Sequence, residues 1–174
     1  MIKKLKKQLF RIVSRICFST YRRFPMFGAL RASLAIIRDQ DRYLVIDRND
    51  RDEFCLPGGI AWLREEDATA LRREVLEETG LRVQHLEVSF RYSSVVGLPF
   101  KLTVFEAQAT GDLKESWEGR PVWATLADMQ ARITASQRPV VERLAAAQGS
   151  NLPASLVPIP EQSFPPESAV AGSR

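Results

Sequence analysis

Runs of apolar residues separated by polar or glycine-containing segments predict several short strands and a few helices along the chain. The predicted strands span residues 32–38, 43–47, 83–92, 100–109 and 121–126, and the predicted helices span residues 66–79, 127–132 and 137–144. A short polar turn joins the first two strands, so we expect a hairpin. A turn containing Gly and Pro joins the third and fourth strands, so we expect these to pair as well.

The longest predicted helix follows the cluster Leu56-Pro57-Gly58-Gly59, which is typical of a turn at the end of a strand. Residues 66–79 contain no Gly or Pro and are rich in Ala, Leu, Glu and Arg, which favour helix. Asp67 places negative charge in the first turn, where the helix dipole favours it, and Gly80 is a natural stop. The sequence therefore predicts a turn, a helix and a stop in close succession.

Three glutamates on this helix, Glu74, Glu77 and Glu78, are spaced at i, i+3 and i+4 and should share one side. Charges about 5 Å apart repel by about 3 kcal/mol per pair at an effective dielectric constant of about 20. A divalent cation turns that repulsion into attraction, and oxygen ligands without nearby His or Cys favour Mg²⁺ or Mn²⁺. Arg73 lies four residues before Glu77 and could orient its carboxylate. The alternative is a solvated acidic face balanced by Arg72 and Arg73.

The fixed spacing extends well beyond the three glutamates. The positions that carry it are Gly59, Glu65, Arg73, Glu74, Val75, Glu77, Glu78, Gly80 and Leu81. At average residue usage, a match of all of them at one start position has a chance on the order of 10⁻⁹. With none of them missing, the segment resembles the signature of the Nudix hydrolase family.

The resemblance implies a fold and an activity. The fold is the Nudix α/β/α sandwich, an α/β (α+β) architecture with a mixed β-sheet between helices, expected across residues 29–147. The activity is hydrolysis of acid anhydrides: the family uses Mg²⁺ to cleave the diphosphate linkage of a nucleoside diphosphate joined to another group X. The expected partner is therefore a small-molecule nucleotide. Two alternatives stay open: a sensor that binds the same nucleotides without cleaving them, and a Nudix protein associated with a membrane surface, in which hydrolysis is secondary.

The resemblance also assigns roles to individual residues. The implied metal ligands are the carboxylates of Glu74, Glu77 and Glu78 and the backbone carbonyl of Gly58. Glu74 is also the implied group that activates the attacking water, with Arg73 and Glu77 beside it in the catalytic set. The implied supporting residues are Gly59, Glu65 and Gly80. Trp62 departs from the family pattern, because many members carry an acidic or polar residue there.

Outside the signature, the run Glu118-Gly-Arg-Pro-Val-Trp-Ala-Thr-Leu resembles a loop of the antimutator 8-oxo-dGTP pyrophosphohydrolase branch. That resemblance implies Glu118 as a further metal ligand, with Glu115 as the fallback. It also implies that Gln137, just before a Pro-Val helix, contacts the purine. Arg48, at the end of a strand, is a candidate for binding substrate phosphates. For each of these residues an ordinary surface or helix-entry role stays open. The comparisons for Glu118 and Gln137 lean slightly towards a nucleoside triphosphate substrate.

The formal charge of +4 is unevenly distributed. Residues 1–38 contain ten Lys or Arg and no acidic residue, whereas the remaining chain has fifteen basic and twenty-one acidic residues, a net charge of −6. Residues 2–24 show helical apolar spacing, and residues 1–28 are predicted to form a basic amphipathic helix with its connector. This helix could pack on the domain, lie on an anionic membrane surface, or contact nucleic acid, although no stable nucleic-acid partner is expected.

The two cysteines, Cys17 and Cys55, give neither a disulfide framework nor a metal-binding spacing. We interpret them as reduced thiols of a cytoplasmic protein, which could also be peripheral to the membrane. No plausible pair of nucleophile and base is visible for covalent catalysis. Residues 148–174 are rich in Pro, Ser and Ala, and we expect a disordered tail there.

Overall fold

The computed structural model describes residues 29–94 and 100–150. The predicted basic helix and connector of residues 1–28, the turn near residues 97–99, and the predicted tail from residue 151 onward lie outside the described residues. Among the residues described, no helix is both long enough and apolar enough to cross a lipid bilayer.

Eight strands and three helices make up the described part of the chain. The strands are β1 (Leu30–Ile36), β2 (Arg38–Asp39), β3 (Arg42–Arg48), β4 (Phe54–Cys55), β5 (Gly58–Ile60), β6 (Arg82–Ser94), β7 (Phe100–Thr110) and β8 (Gly119–Thr125). The helices are α1 (Asp67–Thr79), α2 (Leu126–Arg132) and α3 (Arg138–Ser150), with a 3₁₀ turn at Ala135–Gln137 before α3. Most predicted elements are therefore present, and β8 begins two residues earlier than expected.

The strands form two four-stranded sheets. The first has the order β5-β1-β7-β6, in which β1 runs parallel to β7 and the other pairs are antiparallel. In the second, β3 is the centre: it pairs with β2, with β4 and with β8, each time antiparallel. The prediction of a mixed α/β fold is confirmed, and so is the pairing of β6 with β7.

The predicted hairpin between residues 32–38 and 43–47 is wrong for most of its length. Strand β1 has β5 on one side and β7 on the other, so it has no free edge to offer β3. Only the two residues of β2 pair with β3, across a turn in which Gln40 has a φ of +54°. The two long strands therefore lie in different sheets.

Helices cover the sheets on two sides. Leu71 and Val75 of α1 pack with Ala35 of β1 and Phe105 of β7 in one apolar cluster. The other cluster joins both sheets to α2 and α3, and its helix members are Met129, Val140, Val141 and Leu144. Because buried side chains alternate along β1, that strand contributes to both clusters, which gives the helix–sheet–helix layering.

The first turn of α1 is fixed to the sheet by Asp67. Its carboxylate accepts a hydrogen bond from the Thr103 hydroxyl at 2.6 Å and pairs with Arg31. Its backbone carbonyl accepts one from the Ser33 hydroxyl at 2.9 Å. At the other end Gly80, with a φ of +78°, ends the helix as the sequence predicts. Both ends of the glutamate-bearing helix are thus held in place.

Helix α3 runs through Ser150, so the predicted start of the tail at residue 148 is wrong by three residues. The alanines at positions 145–147, just before this point, favour helix. Gln148 also donates a hydrogen bond to the Tyr43 hydroxyl at 3.1 Å, which ties the last turns of α3 to β3.

Candidate active site

Glu78, in the last turn of α1, faces the protein interior. The residue is only 5% exposed, and its Oε2 accepts a hydrogen bond from the Gly58 N–H at 2.9 Å. Gly58 begins β5, the edge strand that pairs with β1, so this bond joins helix and sheet. The interpretation of the glutamates as a solvated acidic face is therefore wrong for Glu78.

Glu118 lies beside Glu78 although forty residues separate them in sequence. Burial raises the pKa of Glu78 well above its ordinary value, and a hydrogen bond with the Glu118 side chain raises that pKa further. Glu118 precedes β8, and its carbonyl accepts from the Asn49 N–H at 3.0 Å. Because β8 pairs with β3 along its whole length, the second sheet brings Glu118 to the helix. Glu115, the fallback, is exposed.

Glu74 lies near enough to Glu78 and Glu118 for their charges to interact, although the three carboxylates do not converge on one metal position. Burial raises the pKa of Glu74, Arg73 acts in the opposite direction, and the negative charges of Glu77 and Glu118 raise that pKa further. The raised pKa values of Glu74 and Glu78 mean that ionising both carboxyl groups without a cation is energetically costly. A cation would relieve that cost, and every side chain that could bind it here would do so through carboxylate oxygens.

Arg73 holds Glu74 and Glu65 together. Its Nε and Nη2 donate to the two carboxylate oxygens of Glu65 at 3.1 and 2.9 Å, and its Nη1 donates to Glu74 at 2.7 Å. Hydrogen bonding to Arg73 lowers the pKa of Glu65, so the Glu65 carboxylate is ionised. The Glu65 carboxylate also accepts from the Trp62 N–H at 2.8 Å. The loop before α1 is thereby fixed to the helix.

Gly59 allows Glu74 to approach the β5 backbone. A Cβ at this position would lie 2.6 Å from the carboxyl carbon of Glu74, closer than real atoms approach. The side chain of Glu74 therefore fills the space that any other residue at position 59 would need. This contact gives a physical reason for the glycine in the spacing pattern.

Glu77 is placed differently from the other two glutamates of α1. Its side chain is 60% exposed, and its nearest atom lies 3.8 Å from Arg73. Arg73 thus forms only a long ion pair with Glu77, while its side-chain hydrogen bonds to carboxylates go to Glu65 and Glu74. Across residues 29–94 and 100–150, no three acidic, His or Cys side chains already converge closely enough to hold a metal ion. Binding by Glu77 would need rotation of its side chain.

Arg48 and Gln137, the two candidate substrate contacts, both have partners within the protein. Arg48 donates from Nε and Nη2 to the Asp50 carboxylate at 2.9 and 3.1 Å, and this contact raises the pKa of Arg48. Gln137 is buried in the 3₁₀ turn, and its side-chain oxygen accepts from the Leu56 N–H at 2.7 Å. Their roles in substrate binding stay predictions. The missed partner Asp50 lies two residues after Arg48, a spacing that could have indicated the pair.

Cys55 lies near the carboxylates but does not offer a nucleophile. Burial raises the pKa of its thiol to about 12, and the negative charge of Glu78 acts in the same direction. A thiol with that pKa stays protonated at neutral pH.

The raised pKa of Glu78 predicts a pH dependence of stability. Above about pH 4.5, the ordinary pKa of glutamate, the unfolded chain has lost a proton that folded Glu78 still holds. Stability of the metal-free protein should therefore fall as the pH rises from there through the folded pKa. Glu78→Gln should remove part of this decline, so its melting temperature in EDTA should exceed that of wild type increasingly between pH 5 and 8. If the melting temperatures of wild type and Glu78→Gln change with pH at the same rate, the prediction is contradicted.

Comparison with known proteins identifies the family. The family model of the NUDIX domain matches residues 29–144, so the chain belongs to the Nudix family. The "MutT-like protein" of Streptomyces ambofaciens is 35% identical over 81 residues, which cover 44% of this chain and 53% of that protein. The matched region thus spans about half the length of this relative.

Solved structures agree with the fold. The E. coli ORF135 protein has a TM-score of 0.61 at 20% identity, covering 73% of this chain and 96% of that one. The mutator MutT protein from Bacillus halodurans has a TM-score of 0.57 at 24% identity, covering 65% and 80%. At these identities the likeness concerns the fold alone.

Proposed function

We propose that this protein is a metal-dependent hydrolase that cleaves the diphosphate linkage of a nucleoside diphosphate joined to another group, using Mg²⁺ or Mn²⁺. The observation that carries the proposal is the group formed by Glu74, Glu78 and Glu118. These carboxylates come from two separate parts of the chain and lie near enough to affect one another, although they do not yet converge on one metal position, and two of them have raised pKa values. Such an arrangement is costly without a cation and is suited to binding one.

The residues present fit a hard divalent cation. Glu74, Glu78 and Glu118 would hold it, with the Gly58 carbonyl as a neutral oxygen ligand and Glu77 after a change of rotamer. When bound, the ion would offset the negative charge of the diphosphate and lower the pKa of a coordinated water molecule. Phosphoryl transfer depends mainly on positioning and charge neutralisation, which this site would supply without a covalent intermediate.

Glu74 is the best placed general base. Arg73 holds one of its oxygens at 2.7 Å, and Gly59 leaves room for the carboxylate against the β5 backbone. Burial raises the pKa of Glu74, which brings it closer to the range where a carboxylate exchanges protons efficiently near neutral pH. Glu65 supports this geometry by sharing Arg73.

For the substrate, we propose a nucleoside triphosphate ahead of nucleotide sugars, dinucleotide cofactors and dinucleoside polyphosphates. The position of Glu118 beside Glu78 supports the comparison from which this preference comes. Gln137 would contact the base only if its NH₂ group faced the bound nucleotide while its side-chain oxygen kept the bond to the Leu56 N–H. The preference for triphosphates therefore depends more on Glu118 than on Gln137.

A substrate panel tests the proposed function. Each of the four nucleotide classes would be incubated at matched concentration with Mg²⁺, with Mn²⁺ or with EDTA, and released phosphate, pyrophosphate and monophosphate would be measured. We expect turnover of at least one class with either metal and none in EDTA. Binding of nucleotides without product under every metal condition would replace the hydrolase by the sensor.

A further inference from the structure

Trp62 lies on the loop between β5 and α1 with its ring against Arg73. The centre of the ring is 4.2 Å from the Arg73 guanidinium carbon, although the residue as a whole is 64% exposed. A cation–π contact of this length is favourable, and Trp is the side chain that makes it best. The neighbouring Leu63 is 93% exposed, so loop position alone does not explain the contact.

The edges of the Arg73 guanidinium are already engaged. Besides its bonds to Glu65 and Glu74, Nη2 donates to the Ile60 carbonyl at 3.3 Å. These partners fix the nitrogen atoms in the guanidinium plane but do not cover its faces. The Trp62 ring covers one face, which restricts tilting of the group and limits access of water to it.

The loop is built to keep Trp62 in this position. The backbone N–H of Trp62 donates to the Glu65 carboxylate at 2.8 Å, and the backbone carbonyl of Trp62 accepts from the Glu65 N–H at 3.0 Å. Between them Arg64 has a φ of +66°, a conformation that is unfavourable for a residue with a side chain. Two bonds of the Trp62 backbone thus close a tight turn that contains Arg64, and the indole of the same residue lies on Arg73.

We infer that Trp62 is a positioning residue of the active site, acting through Arg73 on Glu74. The ring fixes the plane of the guanidinium, and the guanidinium fixes the carboxylate that lies against Gly59. The inference rests on the proposed function, because it assigns Glu74 a part in the reaction. It also gives a use to a position at which the sequence departs from the family pattern.

The test compares five variants, one of them a double variant, with any substrate that the panel identifies. Trp62→Ala should lower kcat about 5- to 20-fold at saturating metal, with KM changed less, and Trp62→Phe should restore most of the loss because it keeps a ring. Leu63→Ala, the control on the same loop, should behave like wild type. In the Arg73→Gln background, Trp62→Ala should cause no further loss, since the residue through which it acts is gone. Thermal melting would confirm that each variant is folded.

Several outcomes would overturn the inference. One is a kcat for Trp62→Ala equal to that of Leu63→Ala, and another is the same fold-loss from Trp62→Ala in wild type and in Arg73→Gln. A third is failure of Trp62→Phe to recover activity while folded. If wild type cleaves nothing in the panel, the proposed function itself fails, which is a distinct result. Mn²⁺ affinity, measured by calorimetry, would then still compare Trp62→Ala with Leu63→Ala.

Discussion

Replacing Glu78 by glutamine is expected to lower kcat about 10²- to 10³-fold, which corresponds to the loss of about 3–4 kcal/mol of transition-state stabilisation. Glutamine has nearly the same shape and keeps an oxygen that can accept from the Gly58 N–H. It lacks the negative charge that would bind the metal between α1 and β8. The folded structure should therefore survive while the metal-binding group is weakened.

The measurement is kcat and metal affinity for the best substrate, with Glu87→Gln as the control. Glu87 lies exposed on β6, away from the carboxylates, so its replacement should leave both quantities unchanged. Glu118→Gln should resemble Glu78→Gln, whereas Glu115→Gln should resemble the control. Near-normal turnover in Glu78→Gln at limiting Mg²⁺ would contradict the proposed metal site.

Glu77 separates what the sequence predicts from what packing decides. The signature treats Glu74, Glu77 and Glu78 alike, and helical spacing predicts that they share one side. In the structure Glu78 is buried against Gly58, while the side chain of Glu77 is mostly exposed. The spacing gives the direction of each side chain around the helix axis. It does not give the distance to the neighbouring strand, which decides burial.

Contacts between distant segments explain the other differences. Glu118 reaches Glu78 because β8 pairs with β3, a pairing that no local pattern in the sequence encodes. The partners of Arg73 include Glu65, which lies on a loop whose turn depends on the positive φ of Arg64. The hairpin predicted between residues 32–38 and 43–47 is longer than the observed pairing of β2 with β3. The reason is that the apolar pattern predicts strands but not which strands pair. Local chemistry thus predicted α1 and its ends, and the sheet arrangement had to be observed.

Substitution of the two adjacent glycines of β5 should separate stability from activity. In Gly58→Ala, the new Cβ would lie 2.1 Å from the Ser33 carbonyl oxygen, and the φ of +142° would be strained as well. Because backbone cannot move aside easily, we expect a loss of about 3–5 kcal/mol in the free energy of unfolding. A drop of about 10 °C or more in melting temperature would follow.

Gly59→Ala, in contrast, should keep most of its stability and lose activity. Its Cβ would meet the end of the Glu74 side chain, which can rotate away, so we expect a stability change below about 1 kcal/mol. The displaced carboxylate would leave its position beside Arg73, and kcat should fall about 10- to 100-fold. Gly149→Ala in α3 is the matched control, because its Cβ would meet no heavy atom within 4 Å in the described part of the chain.

The comparison of these two variants is informative because they differ by one residue in position. If Gly59→Ala loses stability as Gly58→Ala does, the glycine serves the β5–β1 pairing and not the approach of Glu74. If Gly59→Ala keeps full activity, Glu74 does not need its place against β5, and its assignment as general base fails. Loss of activity with the fold retained would instead show that the turn and the helix form one site, in which the missing side chain at position 59 makes room for the carboxylate.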